Sequence, residues 1–378
     1  MRALVVGAFR AGTHLAHAIN TVKMAQGFAR LGHEVTIVCR REPRGKVNPG
    51  ELARIYGITE PLHWMQVPYL VGQHWGFSLV TLPALLRASQ DLIFARNYTV
   101  PWVSSRMGIT TVAESHAQPG TTSVPFLRLV QATHHPAFRL WVTISEHLAD
   151  HYQSLGVPRD KLIVLPDAVD LQLFQRPVSL PPSPYCSDQP VVAYIGHLYD
   201  YKGIPTILQA AALLPEVGFH LVGGLPEDLS RQRARVEQMG LDNVTFHGLR
   251  PHSEVPPFLW HADTLLLPPS AHHPSAAWTS PLKVGEYLAS GTPVVATSIP
   301  ALRDWLSVHE VKFVPPDDAV AMADGILSIL KDPDYSMSLS EAGLKKAQTL
   351  SYQHRAARVL ERLATQGGEE KTAQCRSC

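Results

Sequence analysis

Cysteine is scarce in this chain. Four in 378 residues, Cys39, Cys186, Cys375 and Cys378, are too few and too scattered for a disulfide framework, which points to a reducing compartment and a cytoplasmic protein. Cys375 and Cys378 form a C-x-x-C, but a structural zinc site wants four ligands and this pair stands alone in a polar tail. Long apolar runs are also missing. None reaches the ~18 to 20 residues of a membrane span, and Arg10 follows the short stretch Ala3 to Phe9 too closely for a signal peptide. Net charge is close to zero, at +1, which argues against nucleic-acid binding. That balance is uneven, however: residues 1–175 carry 16 Lys and Arg against 11 Asp and Glu, and residues 176–378 carry 17 against 21. The positive half is suited to something anionic, either a phosphorylated acceptor or the inner face of a membrane touched peripherally.

What is present is apolar material for large cores, 45% of the chain, in a length that suits two domains. Short apolar runs alternate with helix-length amphipathic stretches. Met1 to Gly7 is a strand, and His17 to Leu31 carries Ile19, Val22, Ala25, Phe28, Ala29 and Leu31 at helical spacing, closed by Gly32. Val35 to Cys39, Leu92 to Ala95, Thr110 to Ala113, Trp141 to Ile144 and Leu162 to Leu165 continue the series. Between Arg176 and Pro190 five of fifteen residues are proline, which reads as a linker. The alternation then restarts with Val191 to Ile195, Phe219 to Val222, Val244 to Phe246, Thr264 to Leu267, Val294 to Ala296 and Val311 to Val314. Repeated strand, helix, strand implies right-handed crossovers and, twice over, a parallel α/β sheet covered on both faces. Ligands of such sheets lie at the carboxyl ends of the strands, so the expected site is a cleft onto which both sheets open.

Four segments follow strands and carry chemistry. Gly7 to His14 is a glycine-bearing turn, although its spacing is not G-x-G-x-x-G and Cys39-Arg40-Arg41 stands where a dinucleotide site needs an acid. Thr111 to His116 runs a strand straight into Glu114 and His116, and a histidine there can bond or polarise a hydroxyl. The pairs His134-His135 and His272-His273 are adjacent and cannot both aim at one ion from a regular element. Tyr194 to Gly203 ends a buried strand in glycine and delivers Lys202 and Gly203 to a helix start, where a lysine and free amides make a diphosphate site. In Trp278 to Val295, Ser280 with Pro281 reads as an N-cap and first-turn proline, and Glu286 as a carboxylate that accepts bonds from hydroxyls such as those of a ribose.

In this order and spacing the residues resemble the retaining glycosyltransferases of family 4, of GT-B fold. The resemblance covers nearly the whole chain. It rests on Gly32-His33-Glu34-Val35, Thr143-Ile144-Ser145-Glu146, Pro166-Asp167-Ala168-Val169-Asp170 with Phe174, Gly196 to Gly203, Val244 to Gly248 and above all Ser280 to Val295. It implies two Rossmann-like domains facing across a cleft: residues 1–175 on the acceptor side, linker 176–190, residues 191–350 for the nucleotide sugar, a helix 351–366 packing back on the first domain, and a disordered tail 367–378. The implied reaction is hexosyl transfer from a nucleoside diphosphate sugar to an acceptor hydroxyl with retention, in glycan biosynthesis. No cofactor and no obligatory metal are implied, and the acceptor is a sugar, a lipid-linked glycan or a small molecule.

Carried over by position, Lys202 resembles the cation on the donor diphosphate, and the amides of Leu282 and Lys283 with Ser280 its second clamp. Glu286 resembles the ribose carboxylate, Gly248-Leu249-Arg250 the base-reading segment, and His116 the histidine beside the donor sugar; His116, Lys202 and Glu286 are the expected catalytic set. Gly12, Asn20 and Thr21 are expected on the acceptor side. Two positions depart from the family pattern: Trp278 replaces the first carboxylate of Glu-x7-Glu, and His197 replaces a frequent arginine, shifting the diphosphate onto Lys202 and Lys283. The alternatives are a non-catalytic nucleotide-sugar-binding protein and a sugar-nucleotide isomerase or hydrolase on the same fold.

Overall fold

The computed structural model describes residues 1–70, 75–87, 90–116, 123–280 and 282–376. It divides into two compact units, residues 1–168 with 352–378 and residues 169–351.

The first unit carries seven parallel strands among its described residues: β1 (Arg2–Arg10), β2 (Glu34–Arg40), β3 (His63–Val67), β4 (Leu92–Arg96), β5 (Thr111–Ser115), β6 (Phe138–Thr143) and β7 (Leu162–Val164), in the order β3-β2-β1-β4-β5-β6-β7. Continuous apolar runs such as Leu4-Val5-Val6 and Leu92-Ile93-Phe94-Ala95 are buried because helices cover both faces of a parallel sheet. Sequence periodicity passes over β3, whose five residues at the sheet edge run from exposed His63 to buried Gln66 and Val67 and mix His63, Trp64 and Gln66 with apolar neighbours. It also ends β1 too early. Gly7 lies within the strand, which continues to Arg10, so the turn falls at Ala11 and Gly12, the latter with φ +82°.

The second unit repeats the plan with β8 (Val191–Ile195), β9 (Gly218–Val222), β10 (Val244–Gly248), β11 (Thr264–Leu267), β12 (Val294–Thr297) and β13 (Lys312–Val314), ordered β10-β9-β8-β11-β12-β13. Each sheet therefore reverses its winding beside its first strand, between β1 and β4 and between β8 and β11, the usual ligand position.

The linker is not free. Tyr185 is buried in the core of the second unit and its hydroxyl donates to the Phe258 carbonyl at 2.5 Å, while His261 Nε2 donates to the Pro181 carbonyl at 2.8 Å. Phe174 is buried in the same core, so the unit begins at Val169 and not after residue 175. The last helix, Tyr352–Arg376, belongs to the first unit and runs through most of the stretch read from sequence as a tail; Cys378 lies outside the described residues. It packs against the helix Ala16–Arg30, where Gly27 admits the Tyr352 carbonyl: a β-carbon at 27 would stand 2.5 Å from that oxygen.

Candidate functional site

In the second unit β8 ends at Ile195 and the chain turns through Gly196 to a single 3-10 turn, Asp200–Lys202, before the helix Ile204–Leu213. Gly203 caps that helix at φ +84°, and a β-carbon there would lie 1.8 Å from the Pro268 carbonyl oxygen. Only glycine permits this turn, which fixes the position of Lys202. Lys202 is half-buried, its ammonium 5.0 Å from the Tyr201 ring centroid.

The helix Lys283–Ser290 is tied to the same strand end, for Tyr287 Oη accepts from the Ile195 amide at 2.8 Å and donates to its carbonyl at 3.3 Å. Its first turn brings the Lys283 ammonium 3.9 Å above the Tyr194 ring and against Gly196, where a β-carbon would be only 2.5 Å from Nζ. Burial lowers both lysines, and the charge of Lys202 lowers Lys283 further. His197 joins them. Burial first, then Lys283 and Lys202, push its pKa down, which favours its neutral form, and among the described residues its buried Nδ1 has no hydrogen-bond partner.

Ser280 does not stand at the N-cap position. Leu282 holds it, in α conformation and with no side-chain cap bond; Pro281 lies outside the described residues. Glu286 is buried at the end of the first turn, and one carboxylate oxygen already accepts from His252 Nε2 at 2.8 Å. At the end of β10, the Gly248 carbonyl accepts from the Gly223 amide at 2.8 Å, while Leu249 and Arg250 are exposed.

In the first unit a pocket of about 400 Å³ opens at the carboxyl ends of β1, β2, β4 and β5, with His17, Thr21, Arg40, Arg96, Glu114 and His116 in its wall. Glu114 is buried at the end of β5. Burial alone would raise its carboxyl, but the Arg355 guanidinium and then His116 overcome this and hold it well below the usual carboxylate range. Arg355 reaches both its oxygens at 3.3 and 3.4 Å and also donates to the Pro166 carbonyl at 2.9 Å. His116 bonds Glu114 through Nε2 and turns Nδ1 to Asp167 at 3.5 Å; Asp167 accepts from Asn20. Burial raises the Asp167 carboxyl. Glu114, His116 and Asp167 also form a set of three metal-type ligands, yet Arg355 already supplies a cation at Glu114.

The positions read from sequence thus fall into two groups. His197, Lys202, Lys283 and Glu286 surround the end of β8 and the start of helix Lys283–Ser290, while His116 and Thr21 line the pocket of the first unit. Asn20 and Gly12 do not belong to the wall of that pocket as described: Asn20 is turned to Asp167, and the nearest atoms to a β-carbon on Gly12 are those of Ile55 and Val47. Sequence reading missed Arg355, Asp167 as the neighbour of His116, and His252 as the partner of Glu286, each contributed from far along the chain.

Both halves of the chain resemble known proteins. Residues 189–332 match the family described as glycosyl transferases group 1, and residues 19–173 the one described as glycosyltransferase family 4. A colanic acid biosynthesis glycosyltransferase, WcaL of Escherichia coli, is 31% identical over 49% of this chain, which spans about half (46%) of that relative's length. The D-inositol 3-phosphate glycosyltransferase of Xylanimonas cellulosilytica is 25% identical over 91% of this chain and 90% of its own. Among solved structures, Anabaena HepE, in complex with UDP and glucose, superposes with a TM-score of 0.73 at 17% identity, over 97% of this chain and 100% of that one. Two family models that follow one another along the chain, on two Rossmann-like sheets of the GT-B kind, show that it carries a glycosyltransferase family 4 domain followed by a glycosyl transferases group 1 domain and is a glycosyltransferase.

Proposed function

We propose that the enzyme moves a sugar from a nucleoside diphosphate sugar to an acceptor hydroxyl, with retention at the anomeric carbon and without an obligatory metal. The observation that carries this reading is the pair Lys202 and Lys283, two half-buried side chains held at the end of β8 beside the first turn of helix Lys283–Ser290. Crowding two cations is unfavourable until an anion lies between them, and a diphosphate is that anion. As the anomeric C–O bond breaks, the charge grows on the departing diphosphate, and the lysines with the helix dipole stabilise it. The acceptor oxygen forms the new bond on the face the diphosphate leaves, and its proton passes to the diphosphate.

Ser280 and the amides of Leu282 and Lys283 clamp the diphosphate in this reading, and His197 Nδ1 is a neutral hydrogen-bonding partner for it. The second oxygen of Glu286 serves a ribose hydroxyl, the backbone of Gly248, Leu249 and Arg250 reads the base, and His116, fixed by Glu114, bonds a hydroxyl of the substrate sugar. UDP, the nucleotide in the HepE complex, is the first to try. Calorimetric titration with UDP, GDP and ADP, each with magnesium and with EDTA, tests the donor site; one nucleotide is expected to bind equally in both, and a strict need for magnesium would refute metal independence. Proton NMR of the product reads the anomeric configuration, and inversion would refute retention.

Attachment of this cytoplasmic enzyme to an anionic membrane face is part of the same proposal, supported by an apolar strip on the first unit. Leu79 and Leu86 on the helix Trp75–Arg87 are 64% and 67% exposed, and Val124 and Leu127 on the helix Val124–Ala132 are exposed as well. Trp102 lies between these helices, 5.5 Å from the Trp75 ring and capped by Arg106 at 4.3 Å. Co-sedimentation with phosphatidylglycerol vesicles should fall as salt rises, and equal pelleting with neutral vesicles would reject it. Among the described residues no helix is long and apolar enough to cross a membrane.

A further inference from the structure

Building on the transferase reading, we infer that the first unit's pocket takes an acceptor that carries an oxyanion, a phosphate monoester or a carboxylate, on a body of monosaccharide size. Three neighbouring strands, β2, β1 and β4, each end in arginine at the carboxyl edge of the sheet: Arg40, Arg10 and Arg96. Arg40 and Arg96 line the pocket on either side of β1, two strand spacings or about 10 Å apart across the sheet and staggered along it, Arg40 level with Arg10 and Arg96 with Gly7, so an oxyanion over β1 can meet both long side chains. Arg40 is buried and its plane is set by the rings of Tyr69 and Phe77, at 5.0 and 5.3 Å; Arg10 shares the Tyr69 ring at 5.9 Å.

Arg96 makes one long bond to the His17 carbonyl, at 3.4 Å, and acts on Glu114 and Asp167 from beyond ion-pair distance. Among the described residues neither Arg10 nor Arg96 has a carboxylate at ion-pair distance, and the one carboxylate in the pocket wall, Glu114, is already matched by Arg355 and His116. His17 lines the same wall from the first turn of helix Ala16–Arg30, a turn that holds no acidic residue and has no side-chain cap, so its positive end adds to the field. The pocket volume, about 400 Å³, suits a single sugar. The surplus of basic residues in positions 1–175 draws such a ligand in from a distance.

Calorimetry with four probes, inorganic phosphate, glucose 6-phosphate, glucuronate and glucose, tests this on the full chain. At least one anion should bind, more weakly as salt rises, with glucose undetected at the same concentrations; phosphate and carboxylate arms identify the anion. Arg96→Gln should weaken that binding roughly 10- to 100-fold, and Arg96→Lys should restore part of it. Failure of all three anions, glucose binding as well as its phosphate, or an unchanged affinity in Arg96→Gln would overturn the inference. UDP titrated into the same samples reports the second unit separately: UDP binding without anion binding refutes this inference alone, and absence of UDP binding in the wild type refutes the donor reading.

Discussion

Replacing Arg355 by methionine removes the cation from a pair whose side chains are 3% and 1% exposed. Glu114 would then be a buried carboxylate that keeps the His116 bond and the more distant charge of Arg96, and the carbonyls of Leu165 and Pro166 would lose a donor. Breaking a buried pair on one side costs about 3–5 kcal/mol, a large share of the ~5–15 kcal/mol that holds a typical domain folded. The loss should appear in guanidinium denaturation as an earlier transition of the first unit, with tryptophan fluorescence as the probe because Trp141 is buried there. The pH dependence carries the sharper test. In the wild type the Glu114 carboxyl is held below its ordinary value, so its contribution is present above the unfolded carboxylate pKa, ~4.3, and lost as pH falls below it. Without Arg355 the strongest of the charges that hold the carboxyl down is gone, so the folded variant takes up a proton at higher pH than the folded wild type does. The deficit against wild type should therefore be largest near neutral pH and shrink towards pH ~4. The double variant Arg355→Met with Glu114→Met should be less destabilised than the sum of the single changes. A deficit below about 1 kcal/mol, one that does not vary with pH, or strict additivity would show that the pair does not stabilise this unit as argued.

Lys202→Ala should weaken UDP binding by roughly 1.5–3 kcal/mol, the scale of a charge-assisted hydrogen bond, and an unchanged dissociation constant would remove Lys202 from the diphosphate site. Gly203→Ala places a methyl where the Pro268 carbonyl stands, so it should cost about 1–3 kcal/mol in strain and impair UDP binding by moving Lys202; a variant with wild-type affinity and melting temperature would contradict that geometry. His116→Gln keeps a donor for Glu114 but not a ring nitrogen for Asp167. Turnover should fall at least tenfold with the melting temperature changed by only a few degrees, whereas a collapse of the fold with unchanged specific activity in the surviving protein would mark a structural histidine.

The strands that could be read from sequence are those whose burial does not depend on distant detail. Val191 to Ile195 and Thr264 to Leu267 are continuous apolar runs between turns, and they appear in the structure with the same limits. Parallel strands covered on both faces must look like this, so the α/β class and its duplication followed from local pattern alone. The loops after β8 and before helix Lys283–Ser290 were legible for a related reason: glycine at 196 and 203 and lysine at 202 and 283 sit within a few residues of the strand or helix that orients them.

Packing between remote segments decided the remainder. Nothing local marks Arg355, 241 residues beyond Glu114, as the counter-ion of that carboxylate, nor His252, 34 residues before Glu286, as its partner. Ser280 looks like a cap because its neighbours suit one, yet the backbone starts the helix at Lys283, with Leu282 in the cap position. Arg10, Arg40 and Arg96 are three unrelated arginines along the chain. They become one cationic edge only because β1 is flanked by β2 on one side and, after the reversal of winding, by β4 on the other. Hydrophobic periodicity acts through each residue's own exposure and is written in order along the chain, whereas ion pairing acts through space at distances that only the folded topology sets.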